Sequence, residues 1–265
     1  MDQRALRTIR LFSACLGVAS LALAGETLVE TQLAAYRQIR TLSCEIRKDT
    51  ETPEGKGRML SRVYFERPDR IHVQNVTPVK RRILSDGATL YYYVEGEPKG
   101  VSSAVGLLKG DMSIQTRAVP GTAMEHLLRM EKAAETNLPP TSEFPVRKGY
   151  QADAVFSVLS LDATGRLVRI EYFRGPDQAE KVAQYDFSMF EQVLPGVWIP
   201  LRHDGSILAG RLKATESRRI SSLAVNRPLP DRIFDPREHF KGVEFEAMQP
   251  EAAPGGPDAE RAPDR

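Results

Sequence analysis

Val29, Leu33, Tyr36 and Ile39 recur at spacings of 4, 3 and 3. That spacing lines one face of a helix and predicts one over Glu26–Arg40. The period then changes from helical to two. Leu42, Cys44 and Ile46 alternate with Ser43, Glu45 and Arg47, the pattern of a half-buried strand over 42–50. In the next strand, 58–67, Val63 and Phe65 share one face and Arg62, Tyr64 and Glu66 the other. The same alternation places Arg67 on the apolar face. Ile71 and Val73 point inward from a third strand, 70–76. Two more, 79–85 and 89–94, flank Asp86-Gly87-Ala88, and a DG pair between β-rich runs marks a hairpin because both turn positions tolerate positive φ. Successive short strands with tight turns imply an antiparallel meander.

The middle of the chain reads differently. Val101–Lys109 is small and apolar, and Pro120 opens a helix over 121–132 with Met124, Leu127 and Leu128 on one side. A Pro-rich loop over 137–145 precedes strands at 151–161, 167–174, 181–193, 197–203 and 208–223, and a helical turn at 237–240. The total is about ten strands, one helix before them and one or two inserted midway. A long antiparallel sheet with one apolar face must cover it, and the helices are the available cover. The expected fold is mostly β: a curved antiparallel sheet, or incomplete barrel, under a helical lid.

Charge and cysteine content sharpen this picture. Arg4, Arg7 and Arg10 precede an apolar run of 14 residues, Leu11–Ala24, ending in Ala22-Leu23-Ala24. This is the pattern of a signal peptide over residues 1–24, cleaved after Ala24, and the run is shorter than the roughly 20 residues of a membrane-spanning helix. Its removal takes Arg4, Arg7, Arg10 and Asp2 from 37 basic and 35 acidic residues, leaving 34 of each. A neutral mature chain has no global electrostatic footprint for nucleic acid. Cys44 is then the remaining cysteine, so no internal disulfide is available; a small apolar residue facing inward is its expected role. Pro, Gly, Ala and charged residues after Pro250 cannot bury a core. The expected organisation is one folded unit over 25–246 and a disordered tail over 247–265.

Catalytic signatures are absent: no HExxH, CxxC, GxSxG, Walker loop or GxGxxG. His72, His126, His203 and His239 have no ligand spacing and read as surface or capping histidines. Neither a metal nor a cofactor is expected, and the pattern argues against an enzyme.

Three stretches together resemble a known family. Phe65-Glu66-Arg67-Pro68 is followed by Ile83-Leu84-Ser85-Asp86-Gly87-Ala88-Thr89-Leu90-Tyr91-Tyr92-Tyr93, and the unit ends in Asn226-Arg227-Pro228-Leu229-Pro230-Asp231-Arg232-Ile233-Phe234 and Phe240-Lys241-Gly242-Val243. This order is similar to the periplasmic LolA/LolB-like lipoprotein carriers and their outer-membrane lipoprotein-sorting relatives. The resemblance implies an eleven-stranded half-barrel with helices over its mouth and a cavity for acyl chains. It also implies that Arg67, before Pro68, latches the lid. The chain departs from the family in its longer, Pro- and Gly-rich lid region and in Val197-Trp198-Ile199-Pro200 after Pro195-Gly196.

The expected function is a periplasmic carrier or binder of lipid or lipoprotein acyl chains, with membrane-associated donor and acceptor proteins as possible partners. The expected cavity wall is Ile46, Val63, Phe65, Ile71, Val73 and Tyr92, with Leu107, Leu108, Met124, Leu127 and Leu128 on the lid. The alternative is an envelope interaction or sensor protein that uses the same fold, with a filled core, as a docking surface.

Overall fold

In the computed structural model the described residues are 26–152, 154–209 and 212–248. The proposed signal peptide lies outside them, as does nearly all of the proposed tail. Fourteen strands form one sheet. The first five are β1 (Thr41–Thr52), β2 (Gly55–Glu66), β3 (Arg70–Thr77), β4 (Arg81–Asp86) and β5 (Thr89–Val94), each antiparallel to the next. Then come β6 (Lys99–Ala104), β7 (Ala134–Leu138), β8 (Val146–Ala152), β9 (Val155–Leu161) and β10 (Leu167–Arg174). Three long strands, β11 (Glu180–Leu194), β12 (Val197–Ala209) and β13 (Leu212–Val225), return the chain to β1, and a short β14 (Glu244–Ala247) runs parallel to β6. The order is β14-β6-β5-β4-β3-β2-β1-β13-β12-β11-β10-β9-β8-β7, so the sheet is curved and unclosed.

Fourteen strands exceed the eleven implied by resemblance, and the difference lies in short pieces. β6 is Ser- and Gly-containing, β7 occupies part of the expected loop, and the expected strand 151–161 takes in the end of β8 and all of β9.

Among the described residues four α-helices accompany the sheet. α1 (Leu28–Arg37) starts in a capping box: Glu30 N–H donates to Thr27 Oγ1 and Thr27 N–H to Glu30 Oε2. It buries Val29, Leu33 and Tyr36, the predicted stripe. The backbone N–H of Leu28 donates to Glu135 Oε2 (2.7 Å) and that of Val29 to Tyr150 Oη (3.2 Å). A carboxylate at a helix N-terminus also suits the helix dipole. α2 (Gly110–Arg117) and α3 (Met124–Met130) fill the middle of the chain, and α4 (Pro236–His239) is a single turn.

The core lies between α1, α3 and the concave face: Leu33, Tyr36, Leu127 and Met130 meet Phe65, Tyr150, Leu159, Ile170 and Ile199. Cys44 is buried among them, and burial pushes its thiol up to about 12. After β13 the chain crosses the opposite face of β2–β6. There Arg70 covers the Phe234 ring (4.5 Å), Arg82 Nη1 donates to the His239 carbonyl (2.7 Å), and Phe240 packs on Tyr91 and Phe245.

Candidate functional site

The strand register writes the site directly onto the concave face. Val63, Val73 and Ile83 are cross-strand partners on β2, β3 and β4, as are Phe65, Ile71 and Ser85. Two residues toward the other end of each strand, the row becomes Ser61, Asn75 and Arg81. Beside it on β1 and β13, Ile46 faces Ile220 and Lys48 faces Arg218. These rows border a hollow of about 250 Å3 whose floor is Ile46, Val63, Ile71, Val73 and Ile83 and whose charged rim is Lys48, Arg81, Glu125 and Arg218. Its roof is Gln115 of α2 and the segment Ala118, Pro120 and Gly121. Gly121 adopts φ +75°, and a Cβ there would lie 2.9 Å from Ile220 Cδ1. Only glycine suits that combination of left-handed backbone and close approach.

Four predicted wall residues, Ile46, Val63, Ile71 and Val73, come together around this hollow. Phe65, Met124 and Leu127 do not line it; they are fully buried in the packed core beside it, with Leu128 half-buried against that core. Tyr92 is half-buried below Arg81, whose guanidinium lies 6.0 Å from its ring centroid. Leu107 is 70% exposed on a single 3-10 turn, Val105–Leu107, and Leu108 follows it without reaching the hollow. The small apolar run that suggested a lid is instead strand β6 and this turn.

Arg67 sits where alternation placed it. Its Nε donates to the Ile39 carbonyl (2.9 Å) and Nη2 to the Tyr36 carbonyl (3.3 Å), with Met124 Sδ of α3 at 3.6 Å from Nη2. One guanidinium thus serves carbonyls at and just past the C-terminus of α1, where a cation is also favoured by the helix dipole. Glu135 and Tyr150 hold the other end of α1 from β7 and β8. The helix is therefore fastened across the curve at both ends.

The histidines correct the sequence reading. His72, His126 and His203 are buried rather than superficial. The C-terminal crossing covers His72, whose ring lies 4.4 Å from that of His239. His126 Nδ1 is 2.7 Å from Tyr172 Oη, and His203 packs edge-on against Phe187. Burial, as the largest cause, holds the His126 and His203 imidazoles neutral, down to about 4, and His72 down to about 3. Beside them Arg218 bridges Glu125 (2.9 Å) and Glu216 (2.8 Å), and Lys48 pairs with Glu216 (2.6 Å). Burial pushes the Glu125 carboxyl up, but the Arg218 guanidinium outweighs it and the net shift is downward.

These charged rim residues escaped the sequence reading, yet a signal was present. Period-two alternation already sets Ser61 with Val63 and Asn75 with Val73, polar residues on an apolar face. A larger groove of about 590 Å3 lies at the far strand ends, but its Asp49, Asp186, Asp204 and Glu216 are all paired with neighbouring cations. Its chemistry is that of a solvated surface. Among the described residues no group of His, Cys, Asp and Glu could hold a metal, and no helix is long and apolar enough to cross a membrane.

No family model and no curated protein sequence matches the chain. Solved structures do. A DUF1329-family protein from Desulfovibrio piger aligns over 78% of this chain and 94% of its own, at 11% identity and TM-score 0.55. A domain from Vibrio parahaemolyticus proposed to be an outer membrane lipoprotein-sorting protein aligns over 78% and 94%, at 12% identity and TM-score 0.54. The fold is the one these two structures share, a large curved antiparallel sheet with a few helices. A LolA superfamily protein from Nitrosomonas europaea aligns over 78% of this chain and 97% of its own, at 15% identity and TM-score 0.48. At these identities the likeness is one of fold, and cargo has to be argued from the hollow itself.

Proposed function

We propose that this LolA-like protein is a non-catalytic carrier or binder that holds the alkyl part of a lipid or lipoprotein in the concave hollow. Residues 25–246 form the carrier, and the signal at residues 1–24 directs it to the periplasm. The observation that carries this reading is the partly vacant apolar floor under a roof of small residues, on a fold shared with a proposed lipoprotein-sorting domain. Each methylene removed from water contributes about 0.8 kcal/mol, so ten offer about 8 kcal/mol, within the range of the association cost. The hollow of about 250 Å3 is smaller than the roughly 300–1,000 Å3 of drug-sized ligand sites. A single alkyl segment fits the closed form, and larger cargo requires the roof to lift.

Arg67 supplies the element that makes such a carrier reversible. Its bonds to the end of α1 and its contact with Met124 favour the closed arrangement of the helices, and a ligand that lifts them competes with those bonds. Native mass spectrometry of the purified protein, with solvent extraction and lipid analysis, tests the function. Co-purifying lipid or saturable uptake of an alkyl probe is expected. Protein that carries no lipid and takes up no probe would end this reading.

A further inference from the structure

The rim of the hollow holds more charge than an alkyl chain needs. On β2, β3 and β4 the apolar row Val63–Val73–Ile83 gives way, two residues along, to Ser61–Asn75–Arg81. Ser61 and Asn75 are 3% and 5% exposed. With Nδ2 of Asn75 donating to Ser61 Oγ (2.8 Å), its Oδ1 accepts from Arg81 Nε (2.8 Å) and Nη2 (2.7 Å). Burying a serine and an asparagine on an apolar face is costly unless both are hydrogen-bonded, and here their bonds converge on one guanidinium. That arrangement orients Arg81 and leaves its charge uncompensated.

The other rim cations differ from Arg81. Lys48 is paired with Glu216, and Arg218 with Glu125 and Glu216. Arg81 has no carboxylate within ion-pairing distance among the described residues. Its further contacts are Met59 Sδ at 3.8 Å and the Tyr92 ring. A guanidinium has five N–H donors, of which Asn75 takes two. The Nη1 group has no hydrogen-bond partner among the described residues. Arg81 and Asn75 also border a second recess, lined by Lys80, Arg82, Glu95 and Lys241, in which Lys80 pairs with Glu95 and Lys241 with Glu238.

We infer that the hollow selects a single-chain amphiphile with an anionic head group, a carboxylate or a phosphate, bound by Arg81 while the alkyl chain lies on Val63, Val73 and Ile83. This rests on the reading of the hollow as an alkyl site and adds the polarity of the cargo. The free Nη1 donors of a guanidinium at the end of an apolar floor suit the oxygens of a carboxylate or phosphate, whereas a neutral head gains only an uncharged hydrogen bond and a cationic head is repelled.

The test compares four ligands of equal chain length below their micellar concentrations: decyl phosphate, decanoate, decyl maltoside and decyltrimethylammonium. Each is titrated calorimetrically into the purified protein and into its Arg81→Gln and Arg81→Lys variants. The anionic ligands are expected to bind about tenfold more tightly than the maltoside, with the ammonium ligand weakest. The gap closes in Arg81→Gln, persists in part in Arg81→Lys, and shrinks in high salt. The order of decyl phosphate and decanoate tells a phosphate head from a carboxylate. Equal binding of anionic and neutral ligands by the wild type, or an anionic preference untouched in Arg81→Gln, would overturn this inference and leave the alkyl site standing. Absence of saturable binding for every ligand would overturn both.

Discussion

The concave face divides into two regions, carried mainly by different strands of the one sheet, with opposite outcomes. Under α1 and α3, large helix side chains (Leu33, Tyr36, Leu127, Met130) descend onto Tyr150, Leu159 and Ile170, and the space is filled. Under α2 and residues 118–121 the covering residues are Gln115, Ala118, Pro120 and Gly121, and the space below them stays hollow. Apolar residues floor both regions, with Val63, Val73 and Ile83 under the hollow. Vacancy is therefore set by the size of what comes down from above, because a packed interior needs partner atoms from both sides. The filled region holds the fold, and the hollow region has room for the proposed ligand.

Truncation on the two sides should separate them sharply. Leu127→Ala, at a fully buried position, is expected to cost about 2–5 kcal/mol of unfolding free energy. Equal denaturation midpoints for Leu127→Ala and the wild type would contradict the division.

Acid should attack the filled side next. His126 and His203 are neutral in the fold down to about pH 4, whereas an unfolded histidine takes up a proton near pH 6.5. Between these values the unfolded chain binds more protons, so stability is complete above about pH 6.5 and falls as the pH drops toward 4. The loss is roughly 3 kcal/mol for each histidine, read from denaturant midpoints at pH 7.5, 5.5 and 4.5. His203→Gln should flatten that slope; an unchanged slope would remove His203 from the account.

Arg67 belongs to the filled side, where it holds α1 and touches α3. Arg67→Leu leaves the Ile39 carbonyl without its donor and takes one of the donors from the Tyr36 carbonyl, and should cost about 1–3 kcal/mol, with faster amide exchange in the last turn of α1. With the latch gone, a bound alkyl probe should leave more slowly in stopped-flow dissociation, and an unchanged release rate would end the latch reading. The smallest effect is expected at the hollow itself. Val73→Ala, already beside empty space, should change stability by less than about 1 kcal/mol.

Much of this fold was legible because its signals are local. The α1 stripe, the Asp86-Gly87 turn and the alternation through β1–β3 each lie within a dozen residues, and Arg67 was placed on the apolar face by parity alone. The misses have a different origin. α2 has no apolar stripe, and β6 is small and polar, so neither has a periodic signature. Burial of His72 depends on a segment that returns from residues 231–240, and burial of His126 on Tyr172 and Tyr185, two strands distant in sequence. The Ser61–Asn75–Arg81 row exists only once three strands are in register. Leu107 and Leu108 were placed on the lid from hydrophobicity, but their short stretch follows β6, next to the edge strand β14, where Leu107 is exposed and Leu108 half-buried.

Titration of an environment-sensitive alkyl probe into the wild type and Val73→Trp tests the central claim most directly. An indole at Val73 occupies the floor of the hollow without entering the packed core. The account predicts one saturable site in the wild type, at least about tenfold weaker binding in Val73→Trp, and similar thermal midpoints for both. Identical binding curves for the two proteins would contradict it.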